Sequence, residues 1–244
     1  MVLITSFTTN EGLTVPAVSA EQMREVDRIA IADASPTLAQ MMENAGRNLA
    51  LAAIEHLGPG WGHVPIAVFA GPGGNGGGGI CAARHLANHG GDVILVLADH
   101  HAVSPAADEQ LAIYQKTPGR TQGLGPVETG LILDAVFGYG LQDAPRGQWR
   151  EMIQAMSESA APAISLDVPS GLDSTTGEAS GESVEAMTTL TLALPKTGLR
   201  STMAGDLWLG DLGIPKAVYD RAGIDVPEPV FDGRYRIPLR RQAS

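Results

Sequence analysis

Polar and apolar residues near the beginning of the chain recur at helical intervals. Ser19 and Gln22 have the spacing of a capping box, and apolar residues follow at helical positions over Met23–Ala30, which predicts a first helix. The dipeptide Ser35–Pro36 predicts the start of a second helix, and Gly58 is placed to end it. Two helices are therefore expected before the first long apolar run.

Beyond these helices, short apolar runs alternate with segments of helical character. Helices are predicted at Ile80–His89, from Ser104–Pro105 onward and at Trp149–Ser159. This alternation is typical of a mostly parallel sheet covered on both faces, which binds ligands at the carboxyl ends of its strands. The chain is therefore predicted to be an α/β protein, a three-layer αβα sandwich. The predicted strands are Pro65–Ala70, Val93–Leu97, Leu131–Phe137, Ile164–Val168, Leu190–Leu194 and Leu207–Leu209.

Composition favours a globular chain that binds a small molecule. Of its 244 residues, 44% are hydrophobic and 18% charged, and one domain is the simplest expectation, placed at residues 1–225. The Arg-rich remainder, residues 226–244, is predicted to be an irregular tail. A net charge of −11 offers no basic surface for nucleic acid or an anionic membrane.

Cysteine content and hydropathy favour a protein of the reducing cytoplasm. Cys81 is the single cysteine, so no intramolecular disulfide can form, and a packed core side chain is expected there. No Lys or Arg precedes Arg24, which argues against a signal peptide. No apolar run approaches the ~20 residues of a membrane helix, so no membrane span is predicted.

A glycine-rich segment follows the first predicted strand. Residues 71–79, GPGGNGGGG, place many unhindered backbone N–H groups at the start of a helix, which favours an anion such as a diphosphate. The segment also satisfies G-x-G-x-x-G, and Asp99 lies near the end of the next strand, as the ribose-binding acid of a nicotinamide dehydrogenase does. A flexible loop without a ligand is the alternative, and this motif alone does not decide.

Two later strands end in aspartates. Asp134 lies in LDAVFGYGL and Asp167 in SLDVPSGLDSTTGE, where Ser170 follows after a tight turn. Neighbouring parallel strands would bring these side chains close to the glycine-rich segment. Capping of turn amides is the alternative role for each of them.

Five ordered motifs resemble the YjeF N-terminal family, over about Ser19 to Pro215. They are MENAGR; GPGGNGGGGICAARHL, which is similar to GPGNNGGDG-x-x-AARHL; LDAVFGYGL, similar to DALFGTGL; DVPSGLDSTTG, similar to D-[IV]-PSGLD-x-x-TG; and LPKTGL, similar to APKPGL. Each motif is short, but five in one order make coincidence improbable.

The resemblance implies a Rossmann-like fold that epimerises the R and S forms of NADHX and NADPHX, the hydrated reduced nicotinamide cofactors. The dinucleotide is then substrate rather than cofactor. The resemblance also implies a potassium ion held by Asn75, Asp134 and Ser170, and Asp167 is the hypothesised general acid/base. The implied substrate contacts are Gly74, Asn75, Gly76, Gly77, Gly78, Gly138, Tyr139, Gly140, Leu141, Gln142, Asp143, Ala144 and Asp167.

The chain also departs from the family pattern. Gly74 and Gly78 stand where the family has asparagine and aspartate, so two polar contacts are expected to be missing. Tyr139 replaces a threonine, and Thr197 replaces a proline beside Lys196. Lys196 is either a phosphate contact or, as is commoner for a lysine at a strand end, a solvated side chain.

Two other functions stay open on the sequence. YjeF-like domains also serve as non-catalytic nucleotide- or protein-binding modules, an alternative that Gly74 and Gly78 favour and that retention of Asn75, Asp134 and Ser170 opposes. A conventional dehydrogenase rests on the glycine pattern alone. Family members are often fused to a dehydratase that restores the cofactor; here we expect it to be a separate protein, and a homodimer is left open.

Overall fold

The computed structural model describes residues 6–32, 36–98 and 104–242. Helix α1 spans Ala20–Ala32, and its predicted capping box is confirmed because the Gln22 N–H donates to Ser19 Oγ and the Ser19 N–H donates to Gln22 Oε1. Helix α2 spans Leu38–Leu57 and ends at Gly58, as predicted. Its N-cap is Thr37, which forms a capping box with Gln40, so the helix begins later than the Ser35–Pro36 prediction, of which Ser35 lies outside the described residues.

Ten strands form one sheet in the order β2-β1-β10-β9-β8-β7-β6-β3-β4-β5. The seven strands from β9 to β5 are parallel, while β10, β1 and β2 are antiparallel at the other edge. The predicted mostly parallel sheet is thereby confirmed. The strands are β1 Ser6–Thr9, β2 Thr14–Pro16, β3 Ile66–Ala70, β4 Val93–Leu97, β5 Arg120–Gln122, β6 Leu131–Ala135, β7 Ala163–Leu166, β8 Thr188–Leu192, β9 Asp206–Gly210 and β10 Arg236–Arg241.

Four more α-helices connect these strands: α3 Gly74–Asn88, α4 Pro105–Tyr114, α5 Gln148–Ser157 and α6 Lys216–Arg221. Helix α4 is capped by Ser104, as predicted, and has proline in its first turn. Short 3₁₀ turns lie at Trp61–His63, Thr197–Arg200 and Thr202–Ala204. None of the helices described is long and apolar enough to cross a membrane.

Hydrophobic cores cover both faces of the sheet. Strand β3 shows the division, because Ile66, Val68 and Ala70 belong to the larger core while Ala67 and Phe69 belong to the smaller one. Successive side chains of a strand point to opposite faces, so a strand buried on both sides reads as a continuous apolar run. The three-layer architecture follows from this double burial.

The C-terminal segment contradicts the prediction of an irregular tail over residues 226–244. Residues 236–241 form β10, which pairs with both β9 and β1 in the main sheet. Ile237 and Leu239 are buried at alternating positions of this strand. Pro238 and the surrounding arginines obscured the alternation, because proline and charged residues at such density are typical of loops.

Candidate active site at the carboxyl ends of the strands

A cavity of about 390 Å³ lies where α1, α2 and α3 meet the carboxyl ends of β6, β7 and β8. Six of the predicted site residues line it: Gly74, Asn75, Gly138, Tyr139, Gly140 and Asp167. Methionine and leucine side chains make most of the remaining wall. A few polar groups that converge in an apolar cavity are the usual arrangement of a small-molecule site.

The glycine-rich segment is the first part of a helix rather than a loop before one. Helix α3 begins at Gly74, six residues before the predicted start at Ile80. Glycine has low helix propensity, which is why the sequence pattern placed the start too late. Close packing explains the glycines, since a Cβ on Gly76 would lie 1.8 Å from the Gly71 carbonyl oxygen and one on Gly77 would lie 2.5 Å from Met42 Cε.

Two helix N-termini border the cavity. Gly73 caps α3 with no side-chain hydrogen bond, which leaves the first amides of this helix without a side-chain acceptor. Ser104, the N-cap of α4, also lines the cavity, and its N–H donates to the Pro72 carbonyl oxygen. The positive ends of two helix dipoles therefore lie beside the same space, which favours an anion.

Asp134 and Ser170 form a buried hydrogen-bonded pair at the ends of β6 and β7. Both are fully buried, and the Ser170 hydroxyl donates to Asp134 Oδ1 at 2.5 Å while its N–H donates to Oδ2 at 2.8 Å. Ser165 Oγ donates to the same carboxylate at 2.7 Å. Burial raises the pKa of Asp134, and the hydrogen bonds from Ser170 and Ser165 act in the opposite direction.

Asn75 lies on the first turn of α3, close to Gly138. Gly138 stands between Asn75 and Asp167, because a Cβ added to it would lie 3.3 Å from Asn75 Oδ1 and 2.7 Å from Asp167 Oδ2. Asn75 Nδ2 is buried and has no hydrogen-bond partner among the described residues. A buried amide group without a partner is unusual in a folded protein and points to a ligand at this position.

Asp167 occupies a strained backbone position at the end of β7. Its φ angle is 68°, in the left-handed region that few residues other than glycine, asparagine and aspartate adopt. The Tyr139 N–H donates to its Oδ2 at 2.9 Å and the Leu192 N–H to its Oδ1 at 3.3 Å. The surrounding fold therefore holds this carboxylate against the cavity in a single orientation.

Lys196 is the main ion-pair partner of Asp167. The Lys196 ammonium is 1% exposed and donates to Asp167 Oδ1 and, at 2.8 Å, to the Leu192 carbonyl oxygen. Of the two roles left open for Lys196, the burial of its side chain excludes a solvated lysine, because the chain entering the 3₁₀ turn after β8 directs this side chain into the protein. The LPKTGL motif was the available signal, but no local pattern distinguishes a buried lysine from an exposed one.

Asp27 is a second acidic side chain of the cavity, and the sequence did not single it out. It lies on α1, and the Tyr139 hydroxyl donates to its Oδ2 at 2.5 Å. Lys196 Nζ lies 5.7 Å from the centre of the Tyr139 ring, within the range of a cation–π contact. Burial raises the pKa of Asp27, and its interaction with Asp167 adds to the rise.

Comparisons with known proteins agree with this geometry. The family model described as YjeF-related protein N-terminus matches residues 38–198, about two thirds of the chain. The chain belongs to this family. An NAD(P)H-hydrate epimerase of Dehalogenimonas lykanthroporepellens is 48% identical over 96% of both chains, and one of Weissella koreensis is 35% identical over 81% of this chain and 91% of its own.

Longer relatives and a solved structure extend the comparison. A bifunctional NAD(P)H-hydrate repair enzyme Nnr of Hyperthermus butylicus is 40% identical over 72% of this chain, a match that spans 34% of that enzyme. The crystal structure of yeast ynu0, YNL200c, has a TM-score of 0.79 over 91% of this chain and 99% of its own, at 24% identity. This last likeness supports the Rossmann-like fold of the YjeF-related chain.

Several positions of the YjeF-related motifs do not line the main cavity. Gly76, Gly77 and Gly78 are buried in α3, and a Cβ on Gly78 would face Leu166 and Ala45 in the core. Ala45 itself lines the cavity, so position 78 lies directly behind its wall. Leu141, Gln142, Asp143 and Ala144 line a separate small cavity of about 20 Å³.

A further cluster joins α2 to α3. Glu43 accepts hydrogen bonds from Arg84, His85 and Cys81, although sequence spacing gave no sign of such a group. Glu43, Cys81 and His85 are close enough to share a metal ion, but the Arg84 guanidinium already contacts both Glu43 and Cys81. The cluster is accordingly an ion-pair network. Cys81 is buried, as predicted.

Asp99, the acidic residue on which the dehydrogenase alternative depends, lies outside the described residues. The named relatives are epimerases and repair enzymes rather than dehydrogenases.

Proposed function

We propose that this chain is an NAD(P)H-hydrate epimerase, which interconverts the R and S forms of NADHX and NADPHX. The observation that carries the proposal is the buried Asp167–Lys196 pair, held against an apolar cavity at the carboxyl ends of the parallel strands. The relative that is 48% identical over 96% of both chains bears this name, which supports the same activity here.

The cavity suits the ring-bearing end of a dinucleotide. Its volume of about 390 Å³ is in the range of small-molecule sites. The α3 and α4 N-termini at its border offer amides to the diphosphate, which compensates for an overall net charge of −11. In this arrangement Asn75, Gly138 and Tyr139 contact the substrate between the diphosphate and Asp167.

Asn75, Asp134 and Ser170 fit a potassium ion. They supply amide, carboxylate and hydroxyl oxygens, the donors that a hard monovalent cation prefers. The buried amide nitrogen of Asn75 has no partner among the described residues, and the opposite assignment of the amide nitrogen and oxygen would leave an oxygen available to the ion instead. When bound, the ion supplies positive charge that helps to neutralise the substrate diphosphate.

Asp167 is the proposed general acid/base. The bond between the hydroxyl oxygen and the carbon beside the ring nitrogen breaks, and the electron pair leaves with the oxygen, which takes a proton from the Asp167–Lys196 pair to become water. The nitrogen lone pair forms a double bond to that carbon, which becomes planar. Water then adds to either face and gives up a proton, which restores the pair, so configuration is lost without oxidation or reduction. Lys196 holds the Asp167 carboxylate in position throughout.

A chromatographic assay tests this function. Purified R- or S-NADHX is incubated with the protein, with and without potassium, and the two epimers are separated over time. Asp167→Asn should lower the rate by ~10²- to 10⁴-fold. Asparagine tolerates the left-handed backbone at this position, so the variant changes the charge with little added strain.

Asp92→Asn is the matched control, because Asp92 is an exposed partner of Arg120 far from the cavity. Its rate should equal that of the wild type. A folded protein that binds NADHX without accelerating epimerisation would contradict the proposal and favour the non-catalytic binding module instead.

We also propose a pathway partner and a cellular location, on the basis of the same family resemblance. A separate dehydratase would consume the epimerised product and restore the reduced cofactor, in the cytoplasm where these cofactors are used. Size-exclusion chromatography with light scattering tests whether the protein is a homodimer.

A further inference from the structure

The cavity contains two acidic groups at opposite ends of one tyrosine. The Tyr139 main-chain N–H donates to Asp167, while its hydroxyl donates to Asp27, so the length of the tyrosine separates the two carboxylates. All three residues line the same cavity. The two carboxylates therefore approach a bound molecule from different positions.

Their environments differ in a way that suits different tasks. Asp167 is paired with the Lys196 ammonium and accepts hydrogen bonds from two backbone N–H groups. Asp27 has no described ion-pair partner and lies in the more apolar part of the wall, beside Met23. Its described hydrogen-bond partner is the Tyr139 hydroxyl.

Burial of this second group favours retention of a proton, while the hydrogen bond from Tyr139 and the charge of Lys196 act in the opposite direction. Burial raises the pKa of Asp27, and burial together with the nearby Asp27 raises the pKa of Tyr139. The other titratable or charged groups that act on the pair are Arg24 of the same helix, Lys196 and Asp167 across the cavity, and Tyr219 of α6. Asp27 and Asp167 therefore lie in contrasting surroundings within one cavity.

Epimerisation by departure and return of a hydroxyl needs proton exchange on both faces of the ring. A hydroxyl that leaves from one face must be protonated there, and water that adds to the other face must lose a proton there. One fixed carboxylate reaches only one face directly.

We propose that the Tyr139 hydroxyl, oriented by Asp27, is a second proton-exchanging group that serves the ring face opposite to the one served by Asp167. The Tyr139 hydroxyl gives its proton to the departing oxygen and takes one from Asp27; the return of water on that face reverses both transfers. Asp27 acts through Tyr139 and is a positioning residue. The inference rests on the proposed function, and it uses a tyrosine at position 139, where the family pattern has threonine.

The test follows oxygen exchange separately for each epimer. R-NADHX and S-NADHX are incubated with enzyme in ¹⁸O-labelled water, and mass spectrometry after chromatography gives label in both the starting and the inverted epimer. Rates without enzyme are subtracted. The wild type should incorporate label from either epimer.

Tyr139→Phe should lower the rate of label exchange from one epimer by ~10²-fold, while the other epimer continues to exchange with retention of configuration. Asp167→Asn should stop exchange from the opposite epimer. Asp27→Asn should resemble Tyr139→Phe, which keeps the inference testable if one variant fails to fold. Tyr235→Phe, at an exposed tyrosine that does not line the cavity, should leave both exchanges unchanged.

Other outcomes overturn the inference in distinguishable ways. If Tyr139→Phe slows exchange from both epimers equally, or changes neither, Tyr139 does not serve one face. Inversion without label in the wild type would exclude departure of the hydroxyl and this inference with it, while leaving the epimerase activity intact. A wild type that neither exchanges nor inverts would instead refute the proposed function itself.

Discussion

Replacing Lys196 by methionine should strongly destabilise the protein. The Lys196 and Asp167 side chains are 1% and 5% exposed, so the substitution leaves a carboxylate buried without its counter-ion. Two backbone N–H groups, from Tyr139 and Leu192, would still contact Asp167, but they carry no full charge. Removing one partner of such a pair costs ~3–5 kcal/mol of unfolding free energy.

Urea denaturation at pH 7 measures this loss, and a double-mutant cycle assigns it to the pair. A change of 3–5 kcal/mol corresponds to a fall of roughly 6–20 °C in the thermal midpoint for a chain of this size. Asp167→Asn alone should also destabilise, because it leaves a buried ammonium. The double variant should lose less than the sum of the single losses, by ~0.5–3 kcal/mol.

An exposed ion pair provides the comparison. Arg120 and Asp92 are 63% and 46% exposed, and Arg120→Met should lower the free energy of unfolding by at most ~1 kcal/mol. If Lys196→Met costs no more than Arg120→Met, or if the two cavity substitutions are additive, the buried ion pair does not stabilise this region and the reasoning fails.

Gly76→Ala should lower the free energy of unfolding by more than ~4 kcal/mol or prevent folding, because its Cβ would lie 1.8 Å from the Gly71 carbonyl oxygen. Gly74→Ala is the control, since a Cβ there would lie 3.8 Å from the nearest atom, and it should cause no comparable loss. Thermal unfolding compares the two variants. Burial raises the pKa of Asp27, so the folded protein keeps a proton that the unfolded chain loses. The stability of the wild type relative to Asp27→Asn should therefore fall as pH rises from about 4. Urea denaturation of both proteins at about pH 4 to 8 tests this, and a constant difference between their unfolding free energies would refute it. Burial raises the pKa of Cys81 to about 12, so the folded protein should not react with a thiol reagent at pH 8 while the urea-unfolded chain reacts at once; rapid labelling of folded protein would contradict the burial.

Elements governed by local hydrogen bonds were predictable from the sequence. The capping box of Ser19 and Gln22, the N-cap at Ser104 and the helix end at Gly58 involve residues only a few positions apart. The buried parallel strands were predictable because burial on both faces requires a continuous apolar run. Strand ends placed Asp134 and Asp167 at one edge of the sheet for the same topological reason.

Elements governed by packing were not predictable. Gly76 and Gly77 lie in α3 despite the low helix propensity of glycine, because the preceding turn and Met42 of α2 approach them too closely for a side chain. Strand β10 forms because its backbone hydrogen-bonds to both β9 and β1, and this pairing outweighs the low strand propensity of its proline and arginines.

The sequence by itself therefore determined the layers of this protein and the edge of the sheet where its chemistry lies. Only the tertiary structure decided which polar side chains meet in the cavity. Tyr139 and Asp27 are 112 positions apart and Lys196 and Asp167 are 29 apart, and each pair forms because separate elements bury both members in one apolar space. Hydrophobic periodicity records which face of an element is buried, but not which distant partner satisfies a charge buried there.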